Sequence, residues 1–461
     1  MRKGFFKMPW HLAPAILALA WPTMLEQLMQ TAVQYIDTAM VGTLGTEATA
    51  AVGSTTTVNW LIGSTVSALG VGFLAFISQS IGAKDNEKVK NASAQSVLVT
   101  LVCGVFLTVL VLSLSGFVPA WMQVEEGIRP IASKYFFILY TPMLARTATI
   151  IFGTVLRAAG DTKTPMLVGV AVNIINVVLN FLFIYPSRFV SIFGTEIFIP
   201  GVGLGVVGAA IASAIAFFVG GLLITIALWR HNVVSPKGYS LKPNKSILYP
   251  CFKVALPNAF QRFGTSLGYV FFAAMVNSLG GVATAAHTIA NTVESAFYIP
   301  GYGMQTAAAT LTGNALGSKD SKRIDELSKM ILFIEVMLMI ISGGVLFAFA
   351  PAMVGLFSAD AAVRILGATV LKMVALSEPF YGVSIIIEGM LQGMGRTSMP
   401  FVTNIVGMWL IRIVGTFVCI NFFGMGLVSA WACMIAHNMM LFIVFTCFRL
   451  SRRWNPLKQK A

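Results

Sequence analysis

Long apolar stretches follow one another along nearly the whole chain, each about as long as the hydrocarbon core of a bilayer is thick. A spanning helix needs roughly 20 mostly apolar residues. Twelve such stretches fit the 461 residues, at 12–38, 50–78, 92–120, 132–156, 165–186, 204–229, 250–277, 284–313, 327–350, 364–391, 400–421 and 425–448, with short polar or Gly/Pro-containing turns between them. Only 10% of the residues are charged and 57% are hydrophobic, whereas a soluble domain carries about a quarter charged residues. Runs such as Leu98–Leu114 do not alternate polar with apolar residues, which excludes the strands of a membrane barrel. The expected class is therefore an all-α polytopic membrane protein. The start, MRKGFFKMPWHLAPAILALA, has the basic head of a secretory signal but no small-residue cleavage site, so it is expected to stay as the first span.

Lys and Arg set the sidedness, because cytoplasmic loops carry their excess. With both termini cytoplasmic, 23 of the 31 basic residues fall on the inside, and only Arg129, Lys134, Arg188, Arg364 and Lys372 fall outside. The net charge of +14 is thus spread over alternate loops and makes no single basic face for nucleic acid.

The chain also repeats itself. At an offset of 235 residues, AMVGTLGTEATAA at Ala39–Ala51 lies over AMVNSLGGVATAA at Ala274–Ala286, with nine of thirteen identical. Pro22 falls on Pro257, Gly82-Ala83-Lys84-Asp85 on Gly317-Ser318-Lys319-Asp320, and Leu156, Gly160, Thr162 and Pro165 on Leu391, Gly395, Thr397 and Pro400. Six spans per half is an even number, so the halves enter from the same side, and two six-helix lobes related by a pseudo-twofold axis along the membrane normal are expected. The expected boundaries are 1–229 and 250–461, with a basic cytoplasmic linker at 230–249. Two such lobes can rock about a central cavity, which is a transporter's plan.

Polar residues within the spans are the functional candidates, since a charge at a helix centre costs about 2.5–3.5 kcal/mol on insertion scales and so faces the bundle interior or water. Between His11 and Asp37 the only ionisable residue is Glu26. At helical spacing Glu26, Gln30 and Asp37 share one face of span one within about 40°, and Asn173, Asn176 and Asn180 share one face of span five within about 60°. Asp37, Gln30, Asn176 and Asn180 are the expected cation- or proton-binding residues. Carboxylate and amide oxygens suit a hard cation, so Asp37, Asn176 and Asn180 would be the ligands if the ion is sodium; a carboxylate can also take a proton. Glu26, Asn173, Gln34, Glu294 and Glu388 are further polar candidates for a cavity. Two structural expectations stand beside these: Asn173 hydrogen-bonding helices together, and Glu26 pairing with an intramembrane arginine. Arg146, Arg262, Glu294, Glu378, Glu388 and Arg412 are expected to form compensating pairs, while Glu335 interrupts an otherwise apolar stretch of span nine. Pro22, Pro142, Pro257 and Pro379 mark bending points within spans.

The duplicated six-span plan, Pro22…Gln30-Thr31…Asp37, the GAKD and GSKD turns, LRAAGDTKTP with its echo LQGMGRTSMP, and AAHTIA at Ala285–Ala290 together resemble the multidrug and toxic compound extrusion family over essentially the whole chain. The resemblance implies export of organic, often cationic, compounds in exchange for inward sodium ions or protons, by a protein of the plasma membrane acting as a monomer. It also implies an ion-site role for Asn176 and Asn180, a pair that one branch carries. The second span-five aspartate of the DinF-like branch corresponds to Asn180, and the acids of the NorM-like branch in spans seven and ten correspond to Thr265 and Tyr381. That pattern favours sodium and leaves the proton open. The 34 Phe, 23 Met and 8 Trp suit an adaptable apolar chamber. A lipid-linked oligosaccharide flippase of the same superfamily is the alternative; its commonest forms carry extra spans or a strongly cationic cavity.

Enzyme chemistry finds no support. His11, His231, His287 and His437 include no i, i+4 pair, the five Cys form no C-x-x-C, and no phosphate-binding glycine loop is present. No cofactor is expected beyond the coupling ion.

Overall fold

A computed structural model describes residues 8–122, 124–192, 195–451 and 453–458. Arg2, Lys3, Lys7, Arg452 and Lys460, all assigned by charge to the cytoplasmic side, lie outside the described residues. In chain order the helices are α1 (Ala13–Gly42), α2 (Thr46–Gly82), α3 (Asn86–Leu114), α4 (Val118–Trp121), α5 (Arg129–Tyr140), α6 (Met143–Ala158), α7 (Lys163–Phe183) and α8 (Gly205–Arg230). There follow α9 (Lys245–Asn277), α10 (Gly281–Phe297), α11 (Ile299–Gly317), α12 (Ser321–Phe357), α13 (Ala361–Ala375), α14 (Glu378–Gly393), α15 (Ser398–Val406), α16 (Val414–Asn421) and α17 (Leu427–Leu450).

These elements resolve into the twelve expected segments. Among the described residues eight helical segments, one of them α15 and α16 together, are long and apolar enough to cross a membrane unaided, and the pairs α5/α6 and α13/α14 pass as bent spans, with angles of 48° and 54°. The more polar α9 and the pair α10/α11 supply the remaining two. Both bends fall at expected prolines: Pro142 stands between α5 and α6, and Pro379 is in the first turn of α14. Pro22 and Pro257, by contrast, lie inside continuous helices. Between α15 and α16 the helix widens to a π-helical stretch at Gly407–Ile413. Where a short turn is expected between α7 and α8, the chain forms an antiparallel hairpin of β1 (Pro186–Ile192) and β2 (Thr195–Val202), with Phe189 packed on Phe198.

The helices are built inside out relative to a soluble protein. On α3, Val102, Phe106 and Val109 are exposed, while Ser93, Gln95, Ser96 and Thr100 are buried. Hydrocarbon solvates the first set and offers the second no partners. Ser96 accordingly bonds the Ser93 carbonyl, and Gln95 bonds the backbone of Ser240, Lys242 and Asn244.

The repeat reappears in the backbone. Among the described residues Lys84 and Lys319 are the non-glycine residues with positive φ, at 58° and 56°, and they are repeat equivalents. Gly45 and Gly280 (φ 110° and 96°) and Gly160 and Gly395 (86° and 76°) are equivalents too. Both halves therefore close the same turns with the same left-handed residues, a conformation that costs an L-residue roughly 1–2 kcal/mol.

The chain divides into two compact units. The C-terminal unit comprises the described residues up to Met24, Leu74–Asn86 and those from Tyr249 onward; the N-terminal unit comprises Leu25–Phe73 and Glu87–Leu248. Their boundaries fall inside α1 and α2, at the first residue of α3 and in the first turn of α9. Within the C-terminal unit, the ends of α2 and α11 cross at reciprocal close contacts: a Cβ on Gly82 would strike the Asn314 carbonyl, and one on Gly317 would strike the Gln79 carbonyl. Gly393 of α14 is equally tight against the Ala309 carbonyl. Within the N-terminal unit α1 is tied to α6, because Arg157 Nη2 donates to both oxygens of Glu26 at 2.7 and 2.6 Å.

Two outcomes follow from this packing. Gly393→Ala is expected to destabilise the protein by about 1–3 kcal/mol through overpacking against rigid backbone, read as a lower melting temperature in detergent. Glu26→Gln removes the carboxylate of this buried ion pair and is expected to cost about 3 kcal/mol; the double variant Glu26→Gln/Arg157→Gln is expected to recover most of it.

Candidate functional site

Three of the expected site residues come together in the N-terminal unit. The asparagines of α7 follow a three- and four-residue spacing that puts them on one helix face, and this face is the buried one: Asn173, Asn176 and Asn180 are buried, while Leu167, Ile174 and Val178 are exposed. Along α1 and α7 the contacts keep step. Glu26 lies against Gly169 and Asp37 against Asn180, with the same number of residues between them on each helix, so the two helices run parallel in register.

At the upper contact Asn180 Nδ2 donates to Asp37 Oδ1 at 2.6 Å. The Asn176 amide lies one turn below, within 2.9 and 3.1 Å of the two Asp37 oxygens. The surrounding bonds assign its nitrogen to that side, donating to Asp37, with its oxygen accepting from Ser213 Oγ at 2.9 Å. Ser213 reaches Asn176 because α8 is rich in small residues and packs closely: a Cβ on Gly221 would come within 2.6 Å of Ala145, and Gly208 is just as tight against Phe183. Tyr135 of α5 lies within electrostatic reach of Asp37. Asn180 Oδ1 is buried and has no hydrogen-bond partner.

Other candidates stand elsewhere. Glu26 is bound to Arg157, the structural alternative foreseen for it, with Arg157 supplied by the last turn of α6 and not by the loop to which the charge count had given it. Gln30 and Gln34 are exposed on α1, and among the described residues no polar contact joins either side chain to Asp37. Helical phase places Gln30 on the Asp37 face of α1, and that face is wider than the contact with α7. Asn173 Nδ2 is buried without a partner, two turns from Asn180. Glu294 and Glu388 belong to the C-terminal unit. Glu388 accepts from Gln261, Gln392 and Asn404 at 2.9–3.1 Å, and Glu294 is buried within reach of Arg412.

The compensating pairs expected among the intramembrane charges are not close ion pairs among the described residues. Arg146 stands over the rings of Tyr140 and Phe217, at 5.7 and 5.0 Å, and Arg412 over Tyr269 and Phe272, at 4.7 and 4.4 Å. Arg262 donates to Asn258 Oδ1 at 3.0 Å. Aromatic faces and amides take the place of carboxylates, a cation–π solution open to arginine's flat, weakly hydrated head. Sequence reasoning missed Ser213, Tyr135 and the role of Arg157. A lone serine in a small-residue helix and an arginine next to a turn carry no pattern that names a partner.

Comparison with known proteins follows the same lines. A family model described as MatE matches residues 22–182 and 257–418. A probable multidrug resistance protein NorM of Thermotoga maritima is 26% identical over 460 residues, covering 98% of this chain and 97% of the relative. A probable multidrug resistance protein YoeA of Bacillus subtilis is 25% identical, with 89% and 87% covered. A solved structure described as the outward-facing conformation of a multidrug resistance MATE family transporter of the MOP superfamily superposes with a TM-score of 0.87 at 25% identity, over 96% of each chain. Both the two-part family match, which falls on the two repeats, and the full-length structural likeness agree with the twelve-helix, two-lobe architecture: the chain belongs to the MatE family.

Proposed function

We propose that the protein exports small organic, often cationic, compounds in exchange for an inward-moving sodium ion or proton bound at Asp37, by alternating access between its two lobes. The observation that carries this reading is a contrast on one helix. Two acids lie on α1; Glu26 is neutralised by Arg157, whereas Asp37 is met only by neutral amides, and among the described residues no Lys or Arg forms an ion pair with it. An intramembrane carboxylate without a counter-charge is costly unless a cation visits it.

The surroundings fit such a visitor. Asn180 Oδ1 is a buried acceptor with nothing to accept from, and turning the Asn176 amide over would bring its oxygen as close to Asp37 as its nitrogen now lies. Ser213 tolerates both settings, since a hydroxyl donates as readily as it accepts. A cation between these oxygens favours the oxygen-inward setting, and its departure favours the amide hydrogen bonds. Binding and release thus exchange one satisfied arrangement for another. Asp37, Asn176 and Asn180 supply the ligands for sodium; Asp37 alone takes up the proton. Relatives bearing multidrug-resistance names support the cargo class. We further place the protein in the plasma membrane as a monomer with both termini cytoplasmic, in keeping with the distribution of Lys and Arg.

In everted vesicles loaded by an imposed sodium or proton gradient, Asp37→Asn is expected to abolish gradient-driven movement of a cationic dye while leaving membrane insertion intact; normal transport by this variant refutes the site. Asn180→Ala is expected to raise the cation concentration giving half-maximal transport by about tenfold, equivalent to about 1.4 kcal/mol. Imposing the two gradients separately identifies the ion.

A further inference from the structure

The last two membrane helices carry two cysteines that face one another. Cys419 lies in the last turn of α16 and Cys433 at the close of the second turn of α17, and their Sγ atoms are 3.9 Å apart. Gly415 stands one helical turn before Cys419 on the same face of α16, and a Cβ there would come within 3.2 Å of Cys433 Sγ. The missing side chain lets the α17 sulfur settle against α16 between Gly415 and Cys419. Trp431 and Met434, on either side of Cys433 in the chain, are buried in the core of the C-terminal unit and hold this part of α17 in place. All five cysteines are free thiols; Cys103, Cys251 and Cys447 lie on α3, α9 and α17, and among the described residues no other two cysteine sulfurs are in contact.

A disulfide needs its sulfurs about 2.05 Å apart, and rotation about the two Cα–Cβ bonds is the motion available to close the gap. The pair is also within reach of a reagent. Both cysteines are half-buried, and Cys419 borders the turn at residues 422–426, where Phe422 and Phe423 are 75% and 68% exposed. Under the topology proposed above this turn lies on the outer face of the membrane, the side on which disulfides form and persist. That placement rests on the topology; the contact between the sulfurs does not.

We propose that Cys419 and Cys433 are an oxidisable pair, closed to a disulfide by a thiol–disulfide oxidant that reaches the turn between α16 and α17, so that the end of the last hairpin is fastened covalently. The Cys419 thiol gives up its proton and its sulfur attacks the oxidant's disulfide, releasing one half as a thiol. The Cys433 thiol, deprotonated in turn, displaces the other half from Cys419 and forms the bond between the two cysteines. Two electrons pass from the cysteines to the oxidant, whose disulfide leaves as two thiols carrying the two protons.

The test uses full-length protein in detergent, incubated with oxidised glutathione, quenched in acid, denatured and alkylated. Alkylated thiols are expected to fall from five to three per chain. Mass spectrometry is expected to show two chymotryptic peptides joined through Cys419 and Cys433 until a reductant is added. The variant Cys103→Ser/Cys251→Ser/Cys447→Ser is expected to lose both of its remaining thiols in the same way. Cys433→Ser is expected to stop at a glutathione adduct on Cys419; if it does not fold, Cys419→Ser, with the adduct on Cys433, takes its place. Five alkylated thiols after oxidation, adducts on both cysteines without the joined peptides, or joining seen only once the protein has been unfolded, overturns the proposal.

Discussion

A bilayer core contains no water to complete a hydrogen bond, and most of the contacts described above follow from that constraint. It explains why the apolar side chains of α3 and α7 face outward while their serines, glutamines and asparagines face inward. It explains why Arg146 and Arg412 lie on aromatic rings, and why Glu26 takes both of its hydrogen bonds from one arginine nitrogen. Among the described residues Asp37 forms no ion pair with a Lys or Arg, in a medium where that lack is costly.

Duplication gives the fold its regularity. The repeat is visible as identical letters at Ala39–Ala51 and Ala274–Ala286, and again as matched left-handed residues at Lys84 and Lys319 and at Gly160 and Gly395. Proline breaks one helix pair in each half at corresponding places. The crossing of α2 with α11, in which Gly82 meets Asn314 and Gly317 meets Gln79, has the reciprocity expected of two copies of one element related by an approximate twofold. The halves have diverged in their chemistry, however. In the N-terminal unit one carboxylate is surrounded by amides; in the C-terminal unit several carboxylates are set among tyrosines and glycines.

Much of this was legible before any coordinates. Apolar length fixed the number of spans, internal similarity fixed their grouping in sixes, and a lone aspartate among apolar residues, with asparagines at helical spacing, named the core of the candidate site. Gln30, grouped with Asp37 by helical phase, and Gln34 are exposed on α1, and among the described residues neither side chain shares the Asp37 contact to α7. Of the two roles open to Glu26 the structure shows the pairing with an arginine, and among the described residues Arg146, Arg262 and Arg412 make no close ion pair, meeting aromatic rings and an amide, with Glu294 within electrostatic reach of Arg412.

The sequence by itself determined what is local and periodic: which segments enter the membrane, where they turn, and which residues share a helix face, because each depends on neighbours within a few positions along the chain. Only the tertiary structure decided which charges meet. Arg157 reaches Glu26 over a sequence separation of 131 residues, and Asn180 reaches Asp37 over one of 143. Contacts over such distances depend on how closely glycine and alanine let whole helices approach, which no short stretch of sequence records.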